Sequence, residues 1–251
     1  MNTLLLTATI TPPPGVPGLR RTDPSERLRD YAEALSFYCA LPADVIHRIV
    51  FIENSATDVT PLRDVAAKAE ASQRVEFVSF NGLDHPAAYG RGYGEFKLLD
   101  YAMQHSPSLV AANEDERLWK ATGRYRILNL VDLIRTAPKT FDLYCDLRDR
   151  PIPWMDLRVF AATVGGYRRL LMGIYEQLRE DVIHVSPERY LRPVIGELAK
   201  SHQIVTRFCR EPRIDGIRGM DSRNYTSGVN LLKYWYRATT RRLQGLVNPP
   251  A

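Results

Sequence analysis

Strand-like and helix-like runs alternate through the first half of this chain, and that alternation limits the fold more than any other feature. Residues 3–10 are rich in β-formers and run into Pro12-Pro13-Pro14-Gly15, which ends a ladder because proline has no N–H to donate. Residues 24–38 read as a helix with Asp23 as N-cap, and Leu28, Tyr31, Leu35 and Tyr38 recur at helical spacing toward a core. A second strand follows at 45–52. A helix is expected at 60–71, with Thr60 as cap and Pro61 in its first turn, and a third strand at 75–80. A glycine-rich helix start at 92–104, a short strand at 116–122 and a helix at 125–135 continue the pattern. Such βαβ order predicts a mostly parallel sheet flanked by helices. The second half is less regular: strands at 141–147, 155–163 and 203–209, and helices at 164–180 and 187–200, the latter capped by Ser186.

The 251 residues are 45% hydrophobic, enough for a sizeable core. The net charge of +5 comes from 34 basic against 29 acidic residues. That mixed balance suits an anionic small ligand, an acidic polymer or an anionic membrane surface. No compact basic run, zinc signature or RNA-binding motif is present, so nucleic acid is not an expected partner. Cys39, Cys145 and Cys209 are far apart and form no CxxC, which suits buried thiols in a reducing compartment. No run reaches the ~20 apolar residues of a membrane span. The first residues lack the basic and apolar regions of a signal peptide.

Three polar motifs fall where an open α/β sheet lines a ligand crevice, beyond the carboxyl ends of its strands. In Glu53-Asn54-Ser55, acidic and amide groups at a strand end can hold a ribose or base edge, or simply form a turn. In Gly90-Arg91-Gly92-Tyr93-Gly94-Glu95, glycines let backbone approach a ligand, and a helix N-terminus offers N–H groups to an anion. The last glycine comes one residue too early for a dinucleotide fingerprint, and the Gly-Lys-Ser/Thr of a P-loop is missing. Three glycines there weaken a helix with no packing benefit evident in sequence. In Lys120-Ala121-Thr122-Gly123-Arg124, two cations flank a Thr-Gly turn and can converge on phosphate oxygens.

Carboxylates that could serve as a general base include Asp146, Asp156 and Glu188, with Asp149 and Asp215 behind them. The five histidines lack metal-ligand spacing, and neither a Gly-x-Ser-x-Gly elbow nor a Cys–His pairing is present. The loop Pro212-Arg213-Ile214-Asp215-Gly216-Ile217-Arg218-Gly219 has glycine hinges and two arginines that can reach an anion. The segment 231–243 is helical, aromatic and cationic. It suits either an anionic membrane surface or a helix docked by its aromatics with its arginines in water.

On these residues the chain resembles a GT-A-type glycosyltransferase of bacterial surface-polysaccharide assembly (lipopolysaccharide, capsule or O-antigen). The resemblance covers residues 1–220 in layout and the first half in motifs. It implies an α/β fold: a single GT-A-like, Rossmann-like domain over 1–220, with a mixed, mostly parallel sheet, and a basic aromatic appendage over 221–251. It implies transfer of a sugar from a nucleotide-sugar donor to a hydroxyl of a glycan or lipid-linked glycan. A cytoplasmic location is expected, and the amphipathic tail leaves room for contact with the inner face of the membrane. Such enzymes commonly carry an Asp-x-Asp that holds a metal on the donor diphosphate. Here Lys120 and Arg124 stand at the corresponding strand end, and Asp146-Leu147-Arg148-Asp149 is one residue too long for that motif. The expected enzyme is therefore metal-independent and without a cofactor, a divalent cation being the disfavoured alternative. Thr7, Thr9, Glu53, Asn54 and Ser55 would hold the nucleoside. Arg91, Gly92, Lys120, Thr122, Gly123 and Arg124 would cradle phosphate, and Arg213 and Arg218 would close over it. Asp156, then Glu188 or Asp146, would take the acceptor proton. A different nucleotide-dependent transferase and a non-catalytic scaffold on a degenerate GT-A fold remain alternatives.

Overall fold

The computed structural model describes residues 1–219, 221, 224, 225 and 228–247, the side chains of 229 and 242–247 excepted. In chain order its strands are β1 (Asn2–Ala8), β2 (Arg48–Glu53), β3 (Val75–Ser79), β4 (Arg117–Thr122), β5 (Arg126–Ile127), β6 (Leu143–Tyr144), β7 (Leu147–Arg148), β8 (Trp154–Met155), β9 (Val159–Thr163), β10 (Ile204–Val205) and β11 (Ile214–Asp215). Its α-helices are α1 (Pro24–Cys39), α2 (Thr60–Lys68), α3 (Gly90–His105), α4 (Pro107–Val110), α5 (Leu130–Arg135), α6 (Val164–Leu170), α7 (Glu180–Ile183), α8 (Pro187–Leu198) and α9 (Gly228–Val247).

Seven strands form one sheet in the order β10-β6-β9-β4-β1-β2-β3. β3, β2, β1 and β4 run parallel, whereas β9 is antiparallel to both β4 and β6. The period of two along each central strand splits its side chains between two cores. Leu4, Leu6, Ile49 and Phe51 pack beneath α1 and α2 with Tyr31, Leu35 and Tyr38. Leu5, Val50 and Ile52 pack against Phe96, Leu99 and Met103 of α3, with Leu191 and Ile195 of α8. This is the mixed, mostly parallel, helix-flanked sheet expected from the alternation.

Several boundaries differ from expectation, each for a local reason. Asp23 caps α1 by accepting from Glu26 N at 2.8 Å, as expected. Thr60, however, is the first residue of α2, and the Asp58 carboxylate accepts its N–H. The helix expected at 125–135 is shortened to α5, because Arg126 and Ile127 pair with β11. The strand expected at 155–163 breaks at 156–158, where Asp156 takes the Arg158 guanidinium rather than continuing a ladder. The helix expected at 164–180 stops at Leu170, before Gly173 at φ +80°. Ser186 occupies the cap position of α8 without a side-chain bond. All three cysteines are free, with Cys39 and Cys145 buried.

The last helix reverses the docked-aromatic expectation. Arg241 is buried, donating to both oxygens of Asp146 and to Glu211. Leu232, Trp235 and Tyr236, at 70%, 51% and 73% exposure, face outward. No helix among the described residues is long and apolar enough to cross a membrane.

Candidate functional site

β1, β2 and β4 end together, with Ala8 beside Glu53 and Thr7 beside Thr122. Beyond those ends lies a cleft of about 440 Å³, walled by the starts of α1, α3 and α8, the 211–219 loop and α9. A crevice at this edge is where an open α/β sheet presents backbone and side-chain groups to a ligand. Of the residues singled out in sequence, Thr7, Thr9, Asn54, Arg91, Gly92, Thr122, Arg124, Glu188, Arg213 and Arg218 line it. Glu53, Ser55, Lys120, Gly123, Asp146 and Asp156 do not, and each is occupied elsewhere.

Lys120 lies beneath the cleft at 2% exposure. Its ammonium pairs with Glu95 at 2.5 Å and donates to Thr122 Oγ1 at 3.1 Å and to the Leu157 carbonyl at 2.5 Å. Glu95 also accepts from Thr7 Oγ1 at 3.0 Å. This ion pair joins β1, β4 and α3, and its lysine is not offered to phosphate. Gly123 serves packing: its N–H donates to Thr7 O at 2.9 Å, and a Cβ would lie 2.7 Å from that oxygen. Glu53 is a loop organiser instead of a ribose ligand. Its carboxylate accepts from Ile10 N, Ser55 N, Thr57 N and the hydroxyls of Ser55 and Ser79. Ser55 Oγ in turn accepts from Thr11 N. The result is a fixed rim on which Thr9 Oγ1 donates to Asn54 Oδ1 at 2.7 Å, both residues facing the cleft.

The main cationic wall includes a residue that sequence reasoning missed. Arg27 of α1 is 5% exposed and lines the cleft. Its guanidinium donates to Thr9 O at 2.7 Å, Arg21 O at 3.0 Å and Tyr31 Oη at 3.3 Å. Among the described residues it has no carboxylate partner. Burial, reinforced by the Arg124 charge, lowers its pKa from the usual guanidinium value. The carboxylates nearby are already shared: Asp30 takes Arg21 in a fork and Arg124 at 3.5 Å, and Glu26 takes Arg21. Asp30 and Glu26 thus serve Arg21 and Arg124, and Arg27 shares neither. A signal was present in the sequence, since Arg27 precedes Tyr31 by four residues and so stands on the apolar stripe of α1, where an arginine is costly.

The glycines of the α3 start have a packing role that sequence did not reveal. A Cβ on Gly92 would overlap the Pro187 ring at the start of α8. Gly90 has φ +83°, and the Glu180 side chain of α7 fills the space beside it. Glu180 accepts from Arg91 N at 3.2 Å, so a protein carboxylate already sits on this helix N-terminus. Burial raises the Glu180 pKa. The close α3–α8 contact brings Arg91 and Glu188 onto one wall. Glu188 has no hydrogen bond or ion pair with any described residue. Arg91 Nε and His85 Nδ1 are buried without hydrogen-bond partners among the described residues.

Asp156 and Asp146 are unsuited to the role of base assigned to them. Asp156 is fully buried and held by a two-bond fork from Arg158, with Arg148 at 3.6 Å. Burial would raise its pKa, but these guanidiniums outweigh it and hold it at about 2. Asp146 is bound by Arg148 and Arg241. Neither reaches the cleft. Among the described residues no three His, Cys, Asp or Glu side chains gather as metal ligands would.

No protein-family model and no curated protein matches the chain. Solved structures do. The glycosyltransferase GlyE of Streptococcus pneumoniae TIGR4 superposes with a TM-score of 0.51 at 9% identity, over 99% of this chain and 51% of GlyE. The galactosyltransferase LgtC, solved with donor and acceptor sugar analogues, superposes with a TM-score of 0.50 at 12% identity, over 82% of this chain and 73% of LgtC. The chain therefore spans about half the length of GlyE. At such identities the likeness concerns architecture: this chain has a GT-A-like fold.

Proposed function

We propose that the chain is a glycosyltransferase that moves a sugar from a nucleotide-sugar donor to an acceptor hydroxyl without a metal ion. The observation that carries this reading is Arg27, a buried guanidinium on the cleft wall with no carboxylate partner among the described residues. A buried charge without a counter-charge is costly, and a bound anion relieves that cost. A nucleoside diphosphate supplies such an anion at the edge where α/β folds hold nucleotides. Thr9 and Asn54 hold the nucleoside. Arg27 and Arg124 bind the diphosphate from one side, with Arg91 and the loop arginines Arg213 and Arg218 completing the cradle. Glu188 takes the acceptor proton as the acceptor oxygen bonds to the sugar C1. The bond from C1 to the diphosphate oxygen breaks, and its electron pair leaves with the nucleoside diphosphate. Guanidiniums stabilise the charge that develops there, the role a metal has elsewhere.

Glu188→Gln tests the assignment of the base. It should lower turnover by about 10²-fold or more while leaving donor affinity unchanged. Unchanged turnover would remove Glu188 from the mechanism. The outward stripe of Leu232, Trp235 and Tyr236 supports peripheral contact with an anionic membrane, where a lipid-linked acceptor would be presented. Co-sedimentation with phosphatidylglycerol vesicles should fall in a Trp235→Ser/Tyr236→Ser variant; equal sedimentation would exclude the stripe.

A further inference from the structure

We infer that the cleft contains a second anion subsite, on the α9 wall, and that it takes a phosphoester carried by the acceptor. Two separate cationic poles face the one cleft. The first is the Arg27–Arg124 wall. The second is built around the β7–β8 hairpin, where Asp146, Asp156 and Glu211 face Arg148, Arg158, Arg237 and Arg241. Three carboxylates thus meet four guanidiniums, and Arg237 is the one served worst. Arg241 and Arg148 reach Glu211 at 2.6 and 3.0 Å, leaving Arg237 at 3.8 Å. Arg237 lines the cleft, and Lys233, one turn earlier on α9, lines it too with no acidic partner among the described residues. Burial and the charge of Arg148 lower the Arg237 pKa, in keeping with a shortage of negative charge.

Aromatic rings lie between Arg124 of the first pole and Arg158 of the second. Arg124 lies against Tyr125, Tyr125 meets Tyr225 edge-on at 5.3 Å, and Arg158 lies on the other ring's face at 5.0 Å. If the donor diphosphate occupies the first pole, the second is left for a different anion. Trp154, stacked by Arg148 and Arg158, and Tyr234 line the cleft beside it. Rings beside a guanidinium and an ammonium suit a phosphorylated sugar: the rings meet its apolar face, and the cations meet its phosphate. Assigning this anion to the acceptor rests on the glycosyltransferase reading; the subsite itself does not.

The test is calorimetric titration of glucose 1-phosphate into the full chain carrying Arg27→Gln, which weakens the first pole, and into wild-type chain saturated with a nucleoside diphosphate. One equivalent should bind in both. Arg237→Gln, and separately Lys233→Gln, should weaken it about tenfold. Glucose and glucuronate should bind at least about tenfold more weakly than glucose 1-phosphate. Lys233 is exposed, so its variant keeps the test readable if Arg237→Gln does not fold. Absence of binding, unchanged affinity in the folded variants, or equal binding of glucuronate would overturn the subsite as a phosphoester site. If no nucleoside diphosphate binds the wild type, the glycosyltransferase reading fails, while the Arg27→Gln titration still reports on the subsite.

Discussion

Arg27 carries a charge where water cannot serve it, and its neighbours offer carbonyls and a phenol instead of a carboxylate. Losing an unsatisfied charge differs from losing a paired one. Arg27→Gln should weaken nucleoside-diphosphate binding by about tenfold or more while lowering unfolding stability by about 1–3 kcal/mol, because hydrogen bonds are lost but no ion pair is broken. Calorimetry beside a urea melt separates the two effects; full affinity in folded Arg27→Gln protein would remove the guanidinium from the site. At this scale the sequence was legible in residue type and only partly in residue role. Thr9, Asn54, Arg91, Arg124 and Glu188 were singled out and do line the cleft. Lys120 was given a ligand role at a strand end and Asp156 a base role within a strand, yet Glu95 and Arg158 consume those charges. Glu95 was visible in its motif, but its reach to Lys120 across 25 residues depends on how α3 packs on the β1–β2 face of the sheet, which no local pattern encodes.

The alternation of strand and helix patterns was the legible part at the scale of elements, since periods of 2 and 3.6 record which face is buried. What local pattern could not show was why elements stop or approach closely. Gly92 looked like a concession to a ligand and is instead the contact point for Pro187. Gly92→Ala should therefore destabilise the fold by about 1–3 kcal/mol, as overpacking does, and disturb the wall that bears Glu188. A chemical melt measures it, and wild-type stability would mean the two helices separate freely. The 231–243 helix was readable as a helix but not in orientation. Its inward face is chosen by Asp146 and Glu211, which are distant in sequence.

Across the whole molecule, the ion network between the β7–β8 hairpin and α9 ties the last helix to the sheet. Its acids make acid stability predictable in sign. Asp156 has a folded pKa of about 2 against 3.8 unperturbed, so its contribution is fully present above 3.8 and is lost as pH falls toward about 2. The size is on the order of 2 kcal/mol. Urea midpoints should fall through this window, and Asp156→Asn should flatten that part of the curve; an unchanged curve would mean that the pair contributes no linkage.

A nucleotide-sugar cleft that works through guanidiniums needs no metal to hold its donor. Thermal stabilisation against UDP-, GDP-, dTDP- and CMP-sugars, each with and without EDTA, tests it most directly. A shift with one nucleotide class that survives EDTA is expected. Folded protein that shifts with none of the four, or only with added Mn²⁺ or Mg²⁺, would contradict it.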